Sequence, residues 1–214
     1  MPTLHSEAQD VGAPGWAALL ELVGTESARN AIMFEPSAII PPGQWSGIIT
    51  LPREIETLSA IRQVQLYGSH LRRLPPEIGR LSSLEYLDLY TSYSLHWLPY
   101  EVTRCSGLCD SRISTRALYG NIKTRLPFPR LAGPIDTLIP ETCSVCDRSF
   151  GDREVQMWWT TQRIGTDTVP LLIHSCSSAC TESVPDAPEG YHSRPHKGGG
   201  GVGMPDPDLD ERVR

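Results

Sequence analysis

Four of the six cysteines are spaced as two close pairs. The pairs are Cys143-Ser-Val-Cys146 and Cys176-Ser-Ser-Ala-Cys180, and 29 residues separate them. Two pairs of thiolates that come together supply the four soft ligands of a tetrahedral zinc ion. Such a site leaves no coordination position for a substrate. The spacing therefore predicts one structural zinc ion per chain and no catalysis by the metal.

Other interpretations of these cysteines stay open. His174, at the end of an apolar run, could replace one cysteine as a ligand. The four thiols could instead be buried without a metal, or Cys143 and Cys146 could form a redox pair, although no thioredoxin-like strand pattern precedes them. The ion could also be a thiophilic metal other than zinc.

The residues around the pairs predict the elements that position them. Residues 155–161 and 169–174 alternate or run apolar like two strands, and a helix is expected to begin near Ser175. A knuckle, a hairpin and a helix that carries the last two ligands resemble the treble-clef zinc fold. The resemblance covers the cysteine segment alone.

An internal repeat precedes this segment. Leu51-Pro-Arg-Glu-Ile, Leu74-Pro-Pro-Glu-Ile and Leu98-Pro-Tyr-Glu-Val begin 23 and 24 residues apart, and a weaker Leu126-Pro follows. Four mainly apolar columns keep the same register: Leu58, Leu81 and Cys105; Ile61, Leu84 and Leu108; Val64, Leu87 and Ser111; Leu66, Leu89 and Ile113. Over residues 48–130 this pattern resembles the leucine-rich repeat. The resemblance implies an α/β solenoid whose short parallel strands line a concave face, and whose repeats must stack to bury a core.

The same register explains the remaining cysteines. Cys105 falls in a leucine column and is expected to be a small core residue. Cys109 falls among charged residues and is expected to point outward. A metal or redox role for this C-x3-C pair is the alternative.

Side chains that flank the strand leucines are expected on the concave face. The predicted partner-binding residues are Gln65, Tyr67, Tyr86, Asp88, Tyr90 and Arg112. Tyr67 and Tyr90 share a column as an exposed aromatic pair, which is typical of binding anchors. Asp88 and Arg112 lie on neighbouring strands and can form an ion pair. Strands about 4.8 Å apart give a narrow face that suits a peptide; the alternative is that these are only solvated strand positions.

Both ends of the repeat resemble caps. Residues 16–23 predict a short amphipathic helix over the first repeat, and the cysteine segment could cover the last. Ser69 and Ser92 stand where leucine-rich repeats usually carry a turn asparagine, so we expect the asparagine ladder to be absent or weakened.

The block Ser114–Leu131, with its Arg-Ala-Leu-Tyr-Gly-Asn and Pro-Phe-Pro, adds a second resemblance. Together with the cysteines behind it, it resembles bacterial proteins that join a few leucine-rich repeats to a C-terminal four-cysteine segment. The resemblance implies the architecture and no activity. In this chain we expect Leu118 to be buried and Asn121 to bond the final turn.

Four segments follow from these patterns. They are an N-terminal segment with a capping helix (1–47), the repeats (48–131), the four-cysteine zinc module (132–184) and a disordered tail rich in Gly, Pro and Asp (185–214). No signal-like segment and no apolar run of membrane-spanning length is present, so we expect a cytoplasmic protein.

These features favour a non-catalytic protein that binds a protein or peptide partner through the concave face. No Gly-rich phosphate loop, G-x-S-x-G or H-E-x-x-H motif is present, so we expect no enzyme. A net charge of −6 argues against a nucleic-acid partner. A zinc-dependent regulatory or nucleic-acid-binding protein is the alternative, followed by a cysteine-based enzyme or redox sensor. The sequence leaves the partner, the pathway and the oligomeric state open.

Overall fold

The repeated segments form a four-stranded parallel sheet. A computed structural model describes residues 4–203 and 205. The strands of the sheet are, in order, β1 (Met33–Phe34), β2 (Gln63–Gln65), β3 (Tyr86–Leu89) and β5 (Asp110–Ile113). Gln63 pairs with Tyr86, and Tyr86 pairs with Asp110. The register of the sheet therefore repeats the 23- and 24-residue spacing of the sequence, and the three predicted strands are confirmed.

Short 3-10 turns follow the Leu-Pro pairs and lie behind the sheet. They are Arg53–Thr57, Pro76–Arg80 and Tyr100–Arg104. Each begins after a proline whose φ lies between −68° and −74°, the value that the proline ring fixes. One apolar residue from each turn, Ile55, Ile78 or Val102, is buried in the core. The leucines of the strands fill the same core from the other side, so neither layer buries its apolar face alone.

The N-terminal segment adds helices and one strand to this core. Its helices are α1 (Pro14–Gly24), α2 (Glu26–Asn30) and α3 (Pro42–Trp45). Leu19 and Val23 of α1 are fully buried in the core that the repeats share, which confirms the predicted helix over 16–23. Strand β1 was not predicted, because two residues carry no readable alternation.

A second sheet contains the predicted hairpin of the cysteine segment. Its order is β4 (Leu98–Pro99), β7 (Asp167–Ser175) and β6 (Gln156–Ile164). Strands β6 and β7 are antiparallel, whereas β4, which comes from within the repeats, is parallel to β7. Helix α4 (Ser178–Glu182) follows β7. The sheet therefore joins the repeats and the cysteine segment through backbone hydrogen bonds.

The tip of the hairpin lies on the last strand of the first sheet. The Ser111 hydroxyl donates to the Ile164 carbonyl at 2.8 Å and lies 2.9 Å from the Asp167 carboxylate. Gly165 turns the hairpin at a φ of 57°, and a Cβ there would stand 2.7 Å from the backbone of Asp110. Val169 of β7 is buried in the core of the repeats. The cysteine segment thus covers the end of the repeat array, as expected.

A second, aromatic core lies on the other face of the β4-β7-β6 sheet. Its largest members are Trp97, Tyr119, Phe128 and Trp159. Leu118 is buried, and the Asn121 side chain accepts hydrogen bonds from the backbone of the turn that follows it, as predicted.

Residues 185–203 were predicted to be part of a disordered tail, but in the structure this segment is bonded to the rest of the chain. His196 forms a backbone bridge with Trp159 of β6, and the Leu131 amide donates to the Lys197 carbonyl at 2.8 Å. Strand β6 lies at the edge of its sheet, where backbone amides and carbonyls lack a neighbouring strand. His196 forms hydrogen bonds with these groups at Trp159. Gly198 is needed there, because a Cβ would stand 2.1 Å from the Pro129 carbonyl oxygen. The rest of the predicted tail, 204 and 206–214, lies outside the described residues.

No helix in the described part of the chain has the length and apolar content to span a membrane.

Candidate metal centre and tyrosine face

The first cysteine pair lies in a tight knuckle. The Cys143 amide donates to the Arg148 carbonyl, and the Asp147 amide donates to the Cys143 carbonyl, both at 2.9 Å. Asp147 has a φ of 59°, a left-handed conformation that costs energy in a residue with a Cβ. The Asp147 carboxylate accepts a bidentate bond from Arg80 at 2.7 and 2.8 Å and a bond from Thr142 at 2.9 Å. These bonds offset the strain, and they hold the pKa of Asp147 below its usual value, chiefly through Arg80.

Two arginines of the repeats hold this knuckle. Arg80 binds Asp147, and Arg104 donates to the carbonyls of Cys143 and Ser144 at 3.0 and 2.9 Å. Both arginines are the last residue of a 3-10 turn and share one column of the repeat. Their positioning role was not predicted from the sequence, although their shared column was a readable signal.

The second pair lies where β7 ends and α4 begins. The Ser177 side chain caps α4 by accepting the Cys180 amide at 3.2 Å. Next to it, the Ser144 amide donates to the His174 carbonyl, and the His174 amide donates to the Ser144 hydroxyl, each at 2.8 Å. This reciprocal pair draws the knuckle against the end of β7 and brings the two cysteine pairs together.

The four sulfurs are close enough to share one ion. The Sγ atoms of Cys143, Cys146, Cys176 and Cys180 all lie within 4.8 Å of one another. Cys146 and Cys176, and Cys176 and Cys180, are 3.7 Å apart. Tetrahedral zinc with Zn–S bonds of about 2.3 Å separates its sulfurs by about 3.8 Å, whereas a disulfide joins them at about 2.05 Å. The arrangement can hold a metal ion, and the spacing fits metal coordination rather than a disulfide.

The surroundings of the thiols differ, and their pKa values differ with them. Arg148 donates from Nε to the Cys146 sulfur at 3.4 Å and lowers the pKa of Cys146 to about 6. Burial raises the pKa of Cys176 to about 12. Cys146 is therefore the thiol that is ready as a thiolate at neutral pH, whereas Cys176 needs the ion itself to release its proton. This role of Arg148 was not predicted from the sequence, although the residue lies only two positions after Cys146.

His174 is not a member of the sulfur cluster. The group of side chains placed to hold an ion consists of the four cysteines. The imidazole is buried, and burial lowers the pKa of His174 to about 4, so the ring is neutral at pH 7.

The other two cysteines lie where the repeat register places them. Cys105 is buried in the core, and its thiol donates to the Ile78 carbonyl at 3.3 Å, while burial raises the pKa of Cys105 to about 11. Cys109 is exposed. They do not form a second cluster with the metal-ligating geometry in the described chain.

The residues predicted to bind a partner lie together on the outer side of the parallel sheet. We call this surface the tyrosine face; it consists of Gln65, Tyr67, Tyr86, Asp88, Tyr90 and Arg112. The rings of Tyr67 and Tyr90 are 6.1 Å apart and are 53% and 44% exposed. The Arg112 guanidinium lies over both rings, at 5.3 Å from Tyr67 and 4.8 Å from Tyr90.

A buried carboxylate fixes this arrangement from below. Asp88 is 4% exposed, accepts the Tyr90 amide at 2.9 Å and lies 3.3 Å from Arg112 Nε. The ion pair that the sequence predicts is therefore present. Tyr86 and Gln65 are half-buried beside it, and burial together with the Asp88 charge raises the pKa of Tyr86.

Serines replace the asparagine ladder behind the tyrosine face. The hydroxyls of Ser69 and Ser92 are 2.7 Å apart, and Ser92 donates to the Leu66 carbonyl at 3.1 Å. Ser114 continues the row by accepting the amide of Thr91 at 2.7 Å. The asparagine ladder is absent, as expected, and these serines bond the turns in its place.

Comparison with known proteins yields partial similarity to solved structures. No protein-family model matches the chain, and no curated protein matches it. Among solved structures, the chain is similar to an LRR protein of Leptospira interrogans, with 26% sequence identity and a TM-score of 0.29. The match covers 36% of this chain and 20% of the length of that chain. The similarity is thus confined to a part of each protein.

Proposed function

We propose that this protein is a cytoplasmic interaction module that binds an extended peptide segment of a partner protein on its tyrosine face. It is a short leucine-rich-repeat solenoid of the bacterial type, closed at its C-terminal side by a treble-clef-like zinc segment. The tyrosine face is the concave face of this solenoid. Zinc has a structural role, and the protein catalyses no reaction of its own.

The pre-ordered tyrosine pair is the observation that carries this proposal. Aromatic and arginine side chains dominate the binding energy of protein interfaces. They contribute most when they are already ordered in the free protein, because binding then costs little side-chain entropy. Arg112 contacts both rings and is itself anchored to buried Asp88. Tyr67 and Tyr90 therefore present large exposed surfaces in one defined geometry. A merely solvated strand face has no need of this buried support.

The size of the tyrosine face favours a peptide. Four strands spaced by about 4.8 Å are only about 15 Å across. A stable interface between two folded proteins buries roughly 800 Å² on each partner. An extended segment, which lies across the strands and places an apolar side chain between the rings, makes better use of so narrow a surface.

The zinc proposal rests on the donor set and its spacing. Four thiolates whose sulfurs all lie within 4.8 Å of one another, two pairs of them at 3.7 Å, suit a d¹⁰ ion with tetrahedral preference, and they would occupy all four of its positions. The ion then has no open site for a substrate. Its effect is to tie the knuckle to β7 and α4, and so to hold the segment that covers the last repeat.

A peptide-display selection tests the binding proposal. Peptides selected on the full, zinc-loaded protein are expected to bind it and to lose at least about tenfold in affinity when Tyr67→Ala and Tyr90→Ala are combined. Tyr93→Ala is the matched control, because Tyr93 is 65% exposed and lies outside the tyrosine face. Isothermal titration measures the affinities, and metal content confirms that the variants are folded. Equal binding by the double variant, or selection of no peptide by the wild-type protein, would contradict the proposal.

A further inference from the structure

A cavity lies on the opposite side of the repeats from the tyrosine face. Its volume is about 260 Å³, and it is lined by the Leu-Pro turns of the first two repeats, by residues of β4 and β7, and by residues 137–141. Three of its polar lining residues, Arg73, Trp97 and His174, are each more than nine-tenths buried. They reach the cavity from three separate parts of the fold.

Each of these three side chains has a buried polar atom without a hydrogen-bond partner. In the described chain seven such side-chain atoms occur, and three of them are Arg73 Nη1, Trp97 Nε1 and His174 Nε2. Buried polar groups are nearly always bonded in folded proteins, so three unbonded ones around one cavity need an explanation. Arg73 and Trp97 can only donate, which specifies an acceptor.

The charge of Arg73 is also compensated only from a distance, by the Glu7 carboxylate, whose attraction raises the pKa of Arg73 by less than burial lowers it. No carboxylate of the described residues forms a salt bridge with it, and burial lowers its pKa. The acidic groups nearby are engaged elsewhere: Glu7 pairs with Arg72 at 2.7 Å, and Glu141 pairs with Arg53 at 2.7 Å. A buried cation without a close counter-ion is unfavourable, because its removal from water costs free energy. A partner of opposite charge at short distance offsets this cost.

The remaining walls are partly polar and partly apolar, and the space is small. Arg53, Glu77 and Glu141 line it, and Arg53 is paired with Glu141. Leu51, Leu74, Pro99, Leu138 and Ile139 line it. Its volume lies just below the roughly 300–1,000 Å³ of pockets for drug-sized ligands. Arg53 is already paired with Glu141, so Arg73 is the lining cation that lacks a salt bridge among the described residues. With the Trp97 donor and the apolar part of the wall, it matches a small anion with one charge and an apolar body. The carboxylate of Glu77, which also lines the cavity, disfavours a doubly charged ion such as phosphate.

We propose that this cavity is a binding site for a small organic monocarboxylate. The carboxylate lies on the Arg73 guanidinium and accepts from the Trp97 indole, and the apolar body lies against Leu74 and Leu138. The site is separate from the tyrosine face, and its test is independent of the peptide proposal.

Matched pairs of acids and amides test the site on the full, zinc-loaded protein. Hexanoate, benzoate and phenylacetate are each compared with their primary amides, and with inorganic phosphate, by saturation-transfer NMR and titration. At least one acid is expected to bind with a dissociation constant below about 10 mM and at least about tenfold more tightly than its amide. Binding of no acid to the wild-type protein, equal binding of acid and amide, or tighter binding of phosphate overturns the proposal.

Variants assign the preference to the cavity. Arg73→Gln is expected to remove the preference for acid over amide, whereas Arg72→Gln, its exposed neighbour, keeps it. If Arg73→Gln fails to fold, Trp97→Phe removes the indole donor alone and is expected to weaken acid binding about fivefold with little change for the amide. Unchanged acid binding in the folded Arg73→Gln protein, or in Trp97→Phe where that variant is needed, overturns the assignment.

Discussion

Replacing Cys176 by serine is expected to abolish metal binding and to unfold the segment that carries the cysteines. Cys176 lies at the centre of the cluster, 3.7 Å from both Cys146 and Cys180. Structural zinc contributes roughly 10–16 kcal/mol of apparent binding energy in small zinc domains, whereas whole domains are stable by only about 5–15 kcal/mol. Loss of one thiolate therefore removes a large share of the stability of this segment. Thermal unfolding followed by tryptophan fluorescence, to which Trp158 and Trp159 of β6 contribute, measures the effect.

The exposed cysteine provides the control for this variant. Cys109→Ser makes the same chemical change outside the cluster and is expected to leave the unfolding temperature and the metal content as in the wild-type protein. A Cys176→Ser protein that unfolds like Cys109→Ser would show that the cluster contributes no metal-linked stability.

A second large effect is expected from Gly79→Ala in the stacked turns. A Cβ at Gly79 would stand 2.3 Å from the Glu101 carbonyl oxygen and 2.8 Å from its carbonyl carbon. Both atoms belong to the backbone of the next turn, so no side chain can move aside. The turns must separate, which disturbs the core around Ile78 and Val102, and we expect a loss of about 3 kcal/mol. In urea unfolding, this loss of stability is expected as a lower midpoint concentration, while the dependence of the unfolding free energy on urea concentration stays the same.

Gly43→Ala is the matched control for the stacking argument. Gly43 lies in the short helix α3, and no atom lies within 4 Å of a Cβ built there. Alanine has the higher helix propensity, so a neutral or slightly stabilising effect, up to about 1 kcal/mol, is expected. Equal losses at Gly79 and Gly43 would contradict the close stacking of the turns.

The sequence predicted those parts of the structure that repeat or that depend on ligand chemistry. The turns were predicted from the recurring leucines Leu51, Leu74 and Leu98, and three strands were predicted from the apolar columns that follow them. Both predictions were possible because each leucine position recurs in the same environment. The cysteine pairs were readable for a similar reason: few environments besides a metal site require two close pairs of soft ligands. The hairpin between them was readable from its apolar alternation.

The parts that were missed depend on contacts between distant segments. Strand β1 has two residues, and only its pairing with β2 makes it a strand. The tail from Pro185 to Gly203 has a composition typical of disorder, but the unpaired edge of β6 binds it. The composition of a segment indicates how unfavourable its ordering is on its own. It does not indicate whether another part of the chain, such as an edge strand, binds the segment.

The support of both candidate sites also comes from separate segments. Arg80 and Arg104 hold the knuckle from within the repeats, and their role depends on Asp147, whose backbone conformation no pattern revealed. Beneath the tyrosine face, Asp88 was predicted to meet Arg112, since the repeat register alone places them side by side. Its bond to the Tyr90 amide depends on the local path of the chain after β3.

Metal content combined with thiol titration of the purified, tag-free protein tests the central claim most directly. We predict one zinc ion per chain, one readily reactive thiol at exposed Cys109, and four further thiols that react only after a chelator is added. Buried Cys105, whose pKa is raised to about 11, is expected to react slowly in both states. Protein without bound metal, whose cluster cysteines react freely before chelation, would contradict the zinc centre and leave the repeats and the tyrosine face as the basis of function.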